Sequence, residues 1–177
     1  FVPSRGLGDV YKRQVYNDNP RDFLNFINEG ITERINSGFV TGLAGHFGNR
    51  QKNGDRKLIL SHAGHRQVLV YRKKENAVEL VELPNGTVMG LPGTTASRAK
   101  AIDLQIGDRF YAFTDGIVEA SNPKGEEFGT KRVMDTFKSL SSKPVQKTVE
   151  ALYNKVAKFT QVPDQQDDIS IIGFELS

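Results

Sequence analysis

The sequence contains no cysteine, no apolar run long enough to cross a membrane, and no strong excess of charge of either sign. The missing cysteines exclude a disulfide framework, a zinc ribbon, an iron-sulfur cluster and a thiol nucleophile. A membrane span needs about 18 consecutive apolar residues, so membrane insertion is not expected. The 24 Lys and Arg residues against 21 Asp and Glu leave a net charge of +3. These charges are scattered, and nothing favours nucleic-acid binding.

The chain has the length and composition of one globular domain. Its 177 residues, 37% of them hydrophobic, suffice for one domain with a sizeable core and are too few for two comfortable ones. Residues 1–14 show neither a helical nor a strand period, and they resemble translated adapter read-through. We therefore expect a non-native leader over residues 1–14 and a single partial domain over residues 15–177. Finding these codons in frame at the source locus would contradict the leader hypothesis.

Hydrophobic periodicity predicts helices on both sides of a strand-rich middle. Apolar residues at helical spacing predict a helix after Asn19-Pro20, and three helices in all, over residues 21–36, 133–140 and 145–159. Short apolar or alternating runs predict strands. Four of them, over 38–45, 57–63, 67–71 and 77–83, should form an antiparallel meander. Residues 101–106 and 109–114 should form a hairpin around Gly107-Asp108, and residues 169–174 a buried last strand. Asn53-Gly54 and Asn85-Gly86 predict tight turns.

The order of these elements predicts an α+β fold. No regular alternation of strand and helix appears, so the helices should pack on antiparallel sheets, and two stacked sheets are the expected arrangement.

Two groups of carboxylates come at predicted strand ends. Asp115 follows the strand that ends at Thr114, and Gly116 allows the backbone to turn sharply there. Asp167 and Asp168 come directly before the last strand, so the two groups could converge. Oxygen ligands favour Mg²⁺ or Mn²⁺ over zinc. On spacing alone, plain turn residues are the commoner explanation, and Glu119 fits a solvated loop charge better than a catalytic base.

Four separated segments resemble one known family. They are SHAGHRQVLVYR (61–72), LPNGTVMGLP (83–92), GDRFYAFTDGIVEASNPKGEEFGTKRV (107–133) and DDISIIGFEL (167–176). Together, in this order, they resemble the SpoIIE-like branch of the PPM metal-dependent protein serine/threonine phosphatases. The resemblance runs from about residue 20 to residue 176. A lone Asp-Gly would be weak evidence for this family, but the combination of the four segments is specific to it.

The resemblance implies two stacked antiparallel sheets flanked by helices, with a binuclear Mn²⁺ or Mg²⁺ site that hydrolyses phosphoserine or phosphothreonine. Carried over to this sequence, Asp115 would ligate one metal ion, Asp167 would be its second ligand, and Asp168 is a weaker candidate. Gly116 and His65 would border the site. The ions would activate a water, so no protein nucleophile is needed.

The sequence departs from the family pattern at its start. The family begins with a Gly-Asp strand, whose aspartate bridges both metals, and an Asp-Val-Ser-Gly-His-Gly segment, and neither is present here. Gly8-Asp9-Val10 echoes the second only superficially. We therefore interpret the chain as an amino-terminally truncated domain lacking its first strands. It should bind Mn²⁺ weakly and have little activity, although the parent protein is expected to be active.

Other family-like residues carry weaker predictions. His65 follows Ala63-Gly64, and a structural role is favoured because a histidine at a strand turn more often hydrogen-bonds than acts as a base. His62 stands where the family more often has asparagine. The loop 124–129 could border the substrate groove or be a solvated loop anchored by Phe128.

Three functions stay open at this level. The resemblance implies a cytoplasmic bacterial phosphatase acting on a phosphorylated protein such as an anti-sigma-factor antagonist, with a possible upstream sensor domain. The missing bridging aspartate favours the alternative of a non-catalytic interaction module, or pseudophosphatase, with the same fold. A third possibility is an unrelated metal hydrolase of small phosphate esters.

Overall fold

The computed structural model describes residues 19–35, 37–161 and 168–177. The chain divides into two compact units, the first containing the described residues up to Arg66 and Glu82–Asp103, the second Gln67–Val81 and the described residues from Leu104 on. The elements in chain order are α1 (Pro20–Thr32), β1 (Gly42–Phe47), β2 (Arg56–Ala63), β3 (Val68–Arg72), β4 (Ala77–Leu80), β5 (Lys100–Leu104), β6 (Arg109–Phe113), a 3-10 turn (Asp115–Ile117), α2 (Gly129–Ser139), α3 (Val145–Thr160) and β7 (Ile171–Glu175).

The first unit packs α1 on a sheet with the strand order β1-β2-β5. Asn19 caps the helix by accepting a hydrogen bond from the backbone N–H of Arg21 at 3.1 Å, and Pro20 occupies the first turn, where its missing N–H costs nothing. The predicted helix start is therefore confirmed. β1 is antiparallel to β2, with Gly45 opposite Leu60. The buried core of this unit contains Leu24, Ala63, Met89 and Ala96.

The second unit packs α2 and α3 on an antiparallel sheet with the order β4-β3-β6-β7. β6 lies between β3 and β7, and all five of its residues are buried. The Phe137 ring of α2 stacks on the Tyr111 ring of β6, with centroids 3.8 Å apart. The core also contains Leu69, Tyr71, Phe113, Ile117, Val118, Phe128, Val133, Leu152 and Val156. The packing around β6 therefore fixes the position of its end within this unit.

The predicted α+β class and antiparallel sheets are confirmed, but two strand pairings are wrong. β5 and β6 do not form a hairpin around Gly107-Asp108, because β5 pairs with β2 while β6 pairs with β3 and β7. The predicted meander breaks between β2 and β3, which belong to different sheets. A strand's burial pattern, alternating in β5 and continuous in β6, shows how it is exposed but does not show which strand it pairs with.

Several boundaries also differ from the prediction. Helix α1 ends at Thr32 instead of residue 36, and β1 begins at Gly42 instead of residue 38. The last strand is an edge strand of the described sheet, so it is not fully buried, and Ile172 is 62% exposed. An edge strand has a neighbour on one side only, which the apolar composition of the run did not reveal.

The two predicted tight turns have different outcomes. Gly54 has φ +92° and its N–H donates to the Gln51 carbonyl at 2.9 Å, so the first turn is confirmed. Asn85-Gly86 is not a turn. A Cβ at Gly86 would lie 2.6 Å from the Ser97 backbone N and 2.7 Å from the His62 carbonyl, so glycine serves close backbone approach there.

Within the described ranges, none of the helices α1, α2 and α3 combines the length and the apolar character needed to cross a bilayer.

Candidate metal centre

Asp115 lies at the end of the buried central strand of the second unit. After β6, Thr114 keeps extended backbone, and the chain then enters the 3-10 turn that begins at Asp115. The Ile117 N–H donates to the Thr114 carbonyl at 3.2 Å, and the Glu119 N–H donates to the Asp115 carbonyl at 2.9 Å. Gly116 and Ile117 are buried, whereas Asp115 is exposed. The turn is thus anchored by its neighbours and presents the Asp115 carboxylate to solvent.

Thr114 joins this turn to the segment that contains Asp168. Its backbone N–H donates to the Ser170 carbonyl at 3.1 Å, and its hydroxyl donates to the Asp168 carbonyl at 2.8 Å. The same hydroxyl accepts a hydrogen bond from the Ser170 N–H at 3.0 Å. These three bonds place Asp168 directly beside the residue that precedes Asp115. The structure therefore brings together the two chain segments that the sequence suggested could converge.

The other predicted site residues have different placements. Asp167 lies outside the described residues. Gly116 lies within the turn, and His65 lies in the first unit, half-buried after the end of β2. The roles of all five residues, including Asp115 and Asp168, stay predictions.

The donor atoms near Asp115 suit a hard divalent cation. Across residues 19–35, 37–161 and 168–177, no hydrogen bond or ion pair is made to the Asp115 carboxylate, so both oxygens are available. The same ranges contain no group of three or more His, Asp or Glu arranged to hold an ion. Mg²⁺ commonly binds through one or two carboxylates and keeps several waters. An oxygen-only site built on the Asp115 carboxylate and waters would therefore suit Mg²⁺ or Mn²⁺.

Thr114 is the site residue that sequence reasoning missed. The sequence shows a threonine between a strand and Asp-Gly, and a hydroxyl in that place could equally be a solvated strand end. Only the pairing of β6 with β7 brings Asp168 within its reach. Its role depends on tertiary structure and has no local signal.

The loop after the turn is folded back onto it. The Phe128 N–H donates to the Ala120 carbonyl at 2.8 Å, and the Gly129 N–H donates to the Val118 carbonyl at 2.9 Å. The Asn122 side-chain oxygen accepts from two backbone N–H groups further along the loop. Phe128 is 3% exposed, so it does anchor this loop, as one of the two predictions for the loop required.

His62 is a buried structural histidine in the first unit. Its Nε2 lies 2.7 Å from the Pro84 carbonyl, its backbone N–H donates to the Ser97 hydroxyl, and its carbonyl accepts from the Ser97 N–H. Burial lowers the pKa of the ring, the bond to Pro84 opposes this, and Arg66 adds to the lowering. Nδ1 has no partner in the described part of the chain, so a second ring proton would have no acceptor.

This histidine should make the first unit less stable in acid. An unfolded histidine has a pKa of about 6.5 and the folded one a lower pKa, so the unfolded state binds more protons. The stabilisation is present above about pH 6.5 and is lost as the pH falls towards the folded pKa. Between about pH 7.5 and 5.5 the free energy of unfolding of the wild type should fall. We expect His62→Gln, which keeps a donor near the position of Nε2, to reduce this fall by up to about 1 kcal/mol.

The matched control for His62 is His46→Gln, at a residue that is not fully buried. This variant should keep the wild-type pH slope in urea unfolding followed by circular dichroism. Equal slopes for the wild type and His62→Gln would contradict the assignment.

Comparison with solved structures gives the fold. A SiaA-PP2C domain from Pseudomonas aeruginosa matches with a TM-score of 0.55 and 22% identity, over 70% of this chain and 52% of that chain. A Mycobacterium tuberculosis structure of RsbU and RsbW domains matches with a TM-score of 0.69 and 20% identity, over 88% of this chain and 41% of that chain. The manganese-presoaked phosphatase domain of the cell fate determinant SpoIIE from Bacillus subtilis matches with a TM-score of 0.55 and 16% identity, over 76% of this chain and 56% of that chain.

These comparisons cover only part of the relatives. The chain spans roughly half the length of the solved chains it matches. No curated protein matches it significantly. The family model for Stage II sporulation protein E (SpoIIE) matches residues 7–177, which is nearly the whole chain, and the resemblance predicted from the four sequence segments is confirmed. The chain therefore belongs to the SpoIIE family, and its fold is similar to that of the PP2C-type domains it matches.

Proposed function

We propose that this domain removes phosphate from phosphoserine or phosphothreonine in a protein substrate, in a bacterial signalling protein. The observation that carries the proposal is the position of Asp115. Its carboxylate is exposed at the end of a buried strand and has no ion-pair partner among the described residues, and Thr114 holds the Asp168 segment beside it. Membership of the SpoIIE family supports the same activity.

Asp115, with Asp167 and Asp168, would hold Mn²⁺ or Mg²⁺. When bound, such an ion lowers the pKa of a water and neutralises charge on the phosphoryl oxygens. The similar SpoIIE phosphatase domain from Bacillus subtilis was presoaked with manganese, which supports manganese here. The chain itself supplies an anchored turn that fixes the backbone of Asp115 and a threonine that fixes the backbone of Asp168. With no cysteine in the sequence, a water is the expected nucleophile.

The substrate and setting follow from the family. We infer a phosphorylated protein partner of the anti-sigma-factor antagonist kind, a cytoplasmic location, and a possible sensor domain upstream. Loop 124–129, which folds back onto the Asp115 turn, could border the bound substrate. Gly116, which lies within the turn that begins at Asp115, is also proposed to border the site.

The Asp115→Asn variant tests the activity. It keeps the shape of the side chain and removes its charge, so we expect Mn²⁺-dependent phosphate release from phosphoserine casein to fall by at least about 100-fold. Because the chain spans about half of its relatives, the variant should be measured both in this chain and in the full-length parent protein.

The control for Asp115 is Glu119→Gln, which removes an exposed carboxylate four residues further on. It should leave the rate within about twofold, because such a solvated charge contributes little. Equal activity of Asp115→Asn and the wild type would refute the proposed role. A silent parent protein would favour the non-catalytic interaction module, and turnover of free nucleotides without release from casein would favour a small-ester hydrolase.

A further inference from the structure

Helices α2 and α3 of the second unit enclose an open groove with an aromatic floor. The groove has a volume of about 560 Å³. Phe128 and Phe159 form its floor, with ring centroids 5.3 Å apart in an edge-to-face arrangement. Phe128 is buried and Phe159 is half-buried, so Phe159 supplies the accessible apolar surface of the floor and packs against the core that contains Phe128.

The rim of the groove is mostly cationic. Arg132, Lys155 and Lys158 line it, against a single carboxylate from Asp135. The lining thus carries two more positive than negative charges. Positive charges held close together on a surface repel each other and destabilise the folded state unless an anion lies between them.

Neutral acceptors hold two of these cations in place. Arg132 Nη1 donates to the Glu127 and Phe128 carbonyls, both at 2.8 Å, and its guanidinium lies 4.9 Å from the centre of the Phe159 ring. Lys155 Nζ donates to the Thr136 hydroxyl at 3.1 Å. A carbonyl, a hydroxyl or a ring face orients a cation without cancelling its charge.

None of the ion pairs found in the described part of the chain involves a groove cation. The cations in those pairs are Lys57, Arg72, Arg109 and Lys147. The groove therefore combines two features. Its positive charges are not paired with any carboxylate of the described chain, and its floor leaves the part of the Phe159 ring that Arg132 does not cover partly exposed.

We propose that this groove binds an acidic, amphipathic segment of a protein partner. Asp or Glu side chains of that segment would lie against Lys155, Lys158 and Arg132, and a Leu or Phe side chain would cover Phe159. Anchoring an apolar side chain in a pocket with a charged rim is a common mode of peptide recognition. This binding is a function separate from phosphate removal, because a segment can bind in the groove without a metal ion or a phosphate group.

A protein segment fits the groove better than a nucleic acid does. Bases bind by stacking on exposed aromatic faces. Here the two rings pack edge to face on each other, and the Arg132 guanidinium covers Phe159. The three cations also lie in one place instead of following a strand of phosphates. An aliphatic or aromatic side chain can fill the remaining apolar surface where a stacked base cannot.

The test is direct binding of a fluorescein-labelled peptide to the whole chain, without added metal. The probe has about twelve residues, with leucines at helical spacing and Asp or Glu between them. We expect saturable binding that weakens as salt is raised. Lys158→Glu should weaken it, and the double variant Lys155→Glu/Lys158→Glu should weaken it at least about tenfold, because both side chains are exposed and their reversal repels an acidic peptide.

Two controls make the result specific. Lys147→Glu reverses the same charge on α3 about 12 Å or more from the groove lysines along the helix, and it should change the affinity less than about twofold. A peptide with serine in place of each leucine should bind at least about tenfold more weakly, since it cannot cover the aromatic floor.

Each contrary outcome overturns the proposal. Absence of saturable binding, equal binding by the double variant, or equal binding of the serine peptide would each refute it, and tighter binding of a single-stranded oligonucleotide would assign the groove to nucleic acid. Asp115→Asn should bind the peptide like the wild type. The binding measurement and the phosphatase measurement therefore test the groove and the proposed catalysis independently.

Discussion

Replacing Asp108 with alanine should lower the free energy of unfolding by about 3–5 kcal/mol, because it leaves three partly buried hydrogen-bond donors without their acceptor. Asp108 is 2% exposed and lies in the turn between β5 and β6. Its carboxylate accepts hydrogen bonds from the Lys73 and Gln105 backbone N–H groups, at 3.0 and 3.1 Å, and from Arg72 at 3.0 Å. Alanine would leave all three donors without this acceptor.

The effect should be visible in urea unfolding followed by circular dichroism. Asp103→Ala is the matched control, since its pair with Lys57 is 3.8 Å long and both side chains are mostly exposed, and it should cost less than about 1 kcal/mol. Asp108→Asn should fall between the two, because an amide oxygen can still accept hydrogen bonds but carries no charge. If Asp108→Ala lowered the free energy of unfolding no more than Asp103→Ala, the hydrogen bonds to the Asp108 carboxylate would not stabilise the fold.

Asp108 shows what the sequence could and could not predict. Gly107-Asp108 reads correctly as a turn, and Gly107 has φ +86° there. Its acceptor role toward Arg72 and Lys73 depends on the pairing of β3 with β6, which joins residues far apart in sequence. Turn chemistry is local and is therefore predictable, whereas the partner of a buried carboxylate is set by strand pairing.

In the candidate site, too, the local features could be predicted from the sequence and the features set by strand pairing could not. The end of a buried strand followed by Asp-Gly was enough to single out Asp115, because a run of apolar and aromatic residues and a turn pair are local features. The bond from Thr114 to the Asp168 segment required the pairing of β6 with β7. The groove required the side-by-side packing of α2 and α3, so the sequence singled out Phe128 but not the cations around it.

The second large effect is expected at Phe137, where alanine should cost about 3–5 kcal/mol of unfolding free energy through lost burial and a cavity. Phe137 is fully buried. Its ring stacks on Tyr111 at 3.8 Å between centroids and contacts Phe113 at 6.5 Å in a tilted arrangement. Aromatic pairs add about 0.5–1.5 kcal/mol beyond their buried area. Urea unfolding measures the total.

Tyr153→Ala is the matched aromatic control, because Tyr153 lies on α3 and is 49% exposed. It should cost less than about 1 kcal/mol, since surface substitutions usually have small effects. Similar losses for Phe137→Ala and Tyr153→Ala would contradict the assigned role of the stack.

The Phe137 stack also bears on the site, because Tyr111 and Phe113 belong to the strand that ends before Asp115. Local opening is easiest where buried contacts are few, so a cavity beside β6 should raise the hydrogen-exchange rates of the amides from Tyr111 to Thr114. Phe137→Leu, which retains much of the volume, should raise them less. If the position of Asp115 depends on this support, phosphate release should fall in the order wild type, Phe137→Leu, Phe137→Ala under conditions where each variant is still folded. Activity independent of these exchange rates would instead show that Thr114 and the 3-10 turn hold Asp115 without help from α2.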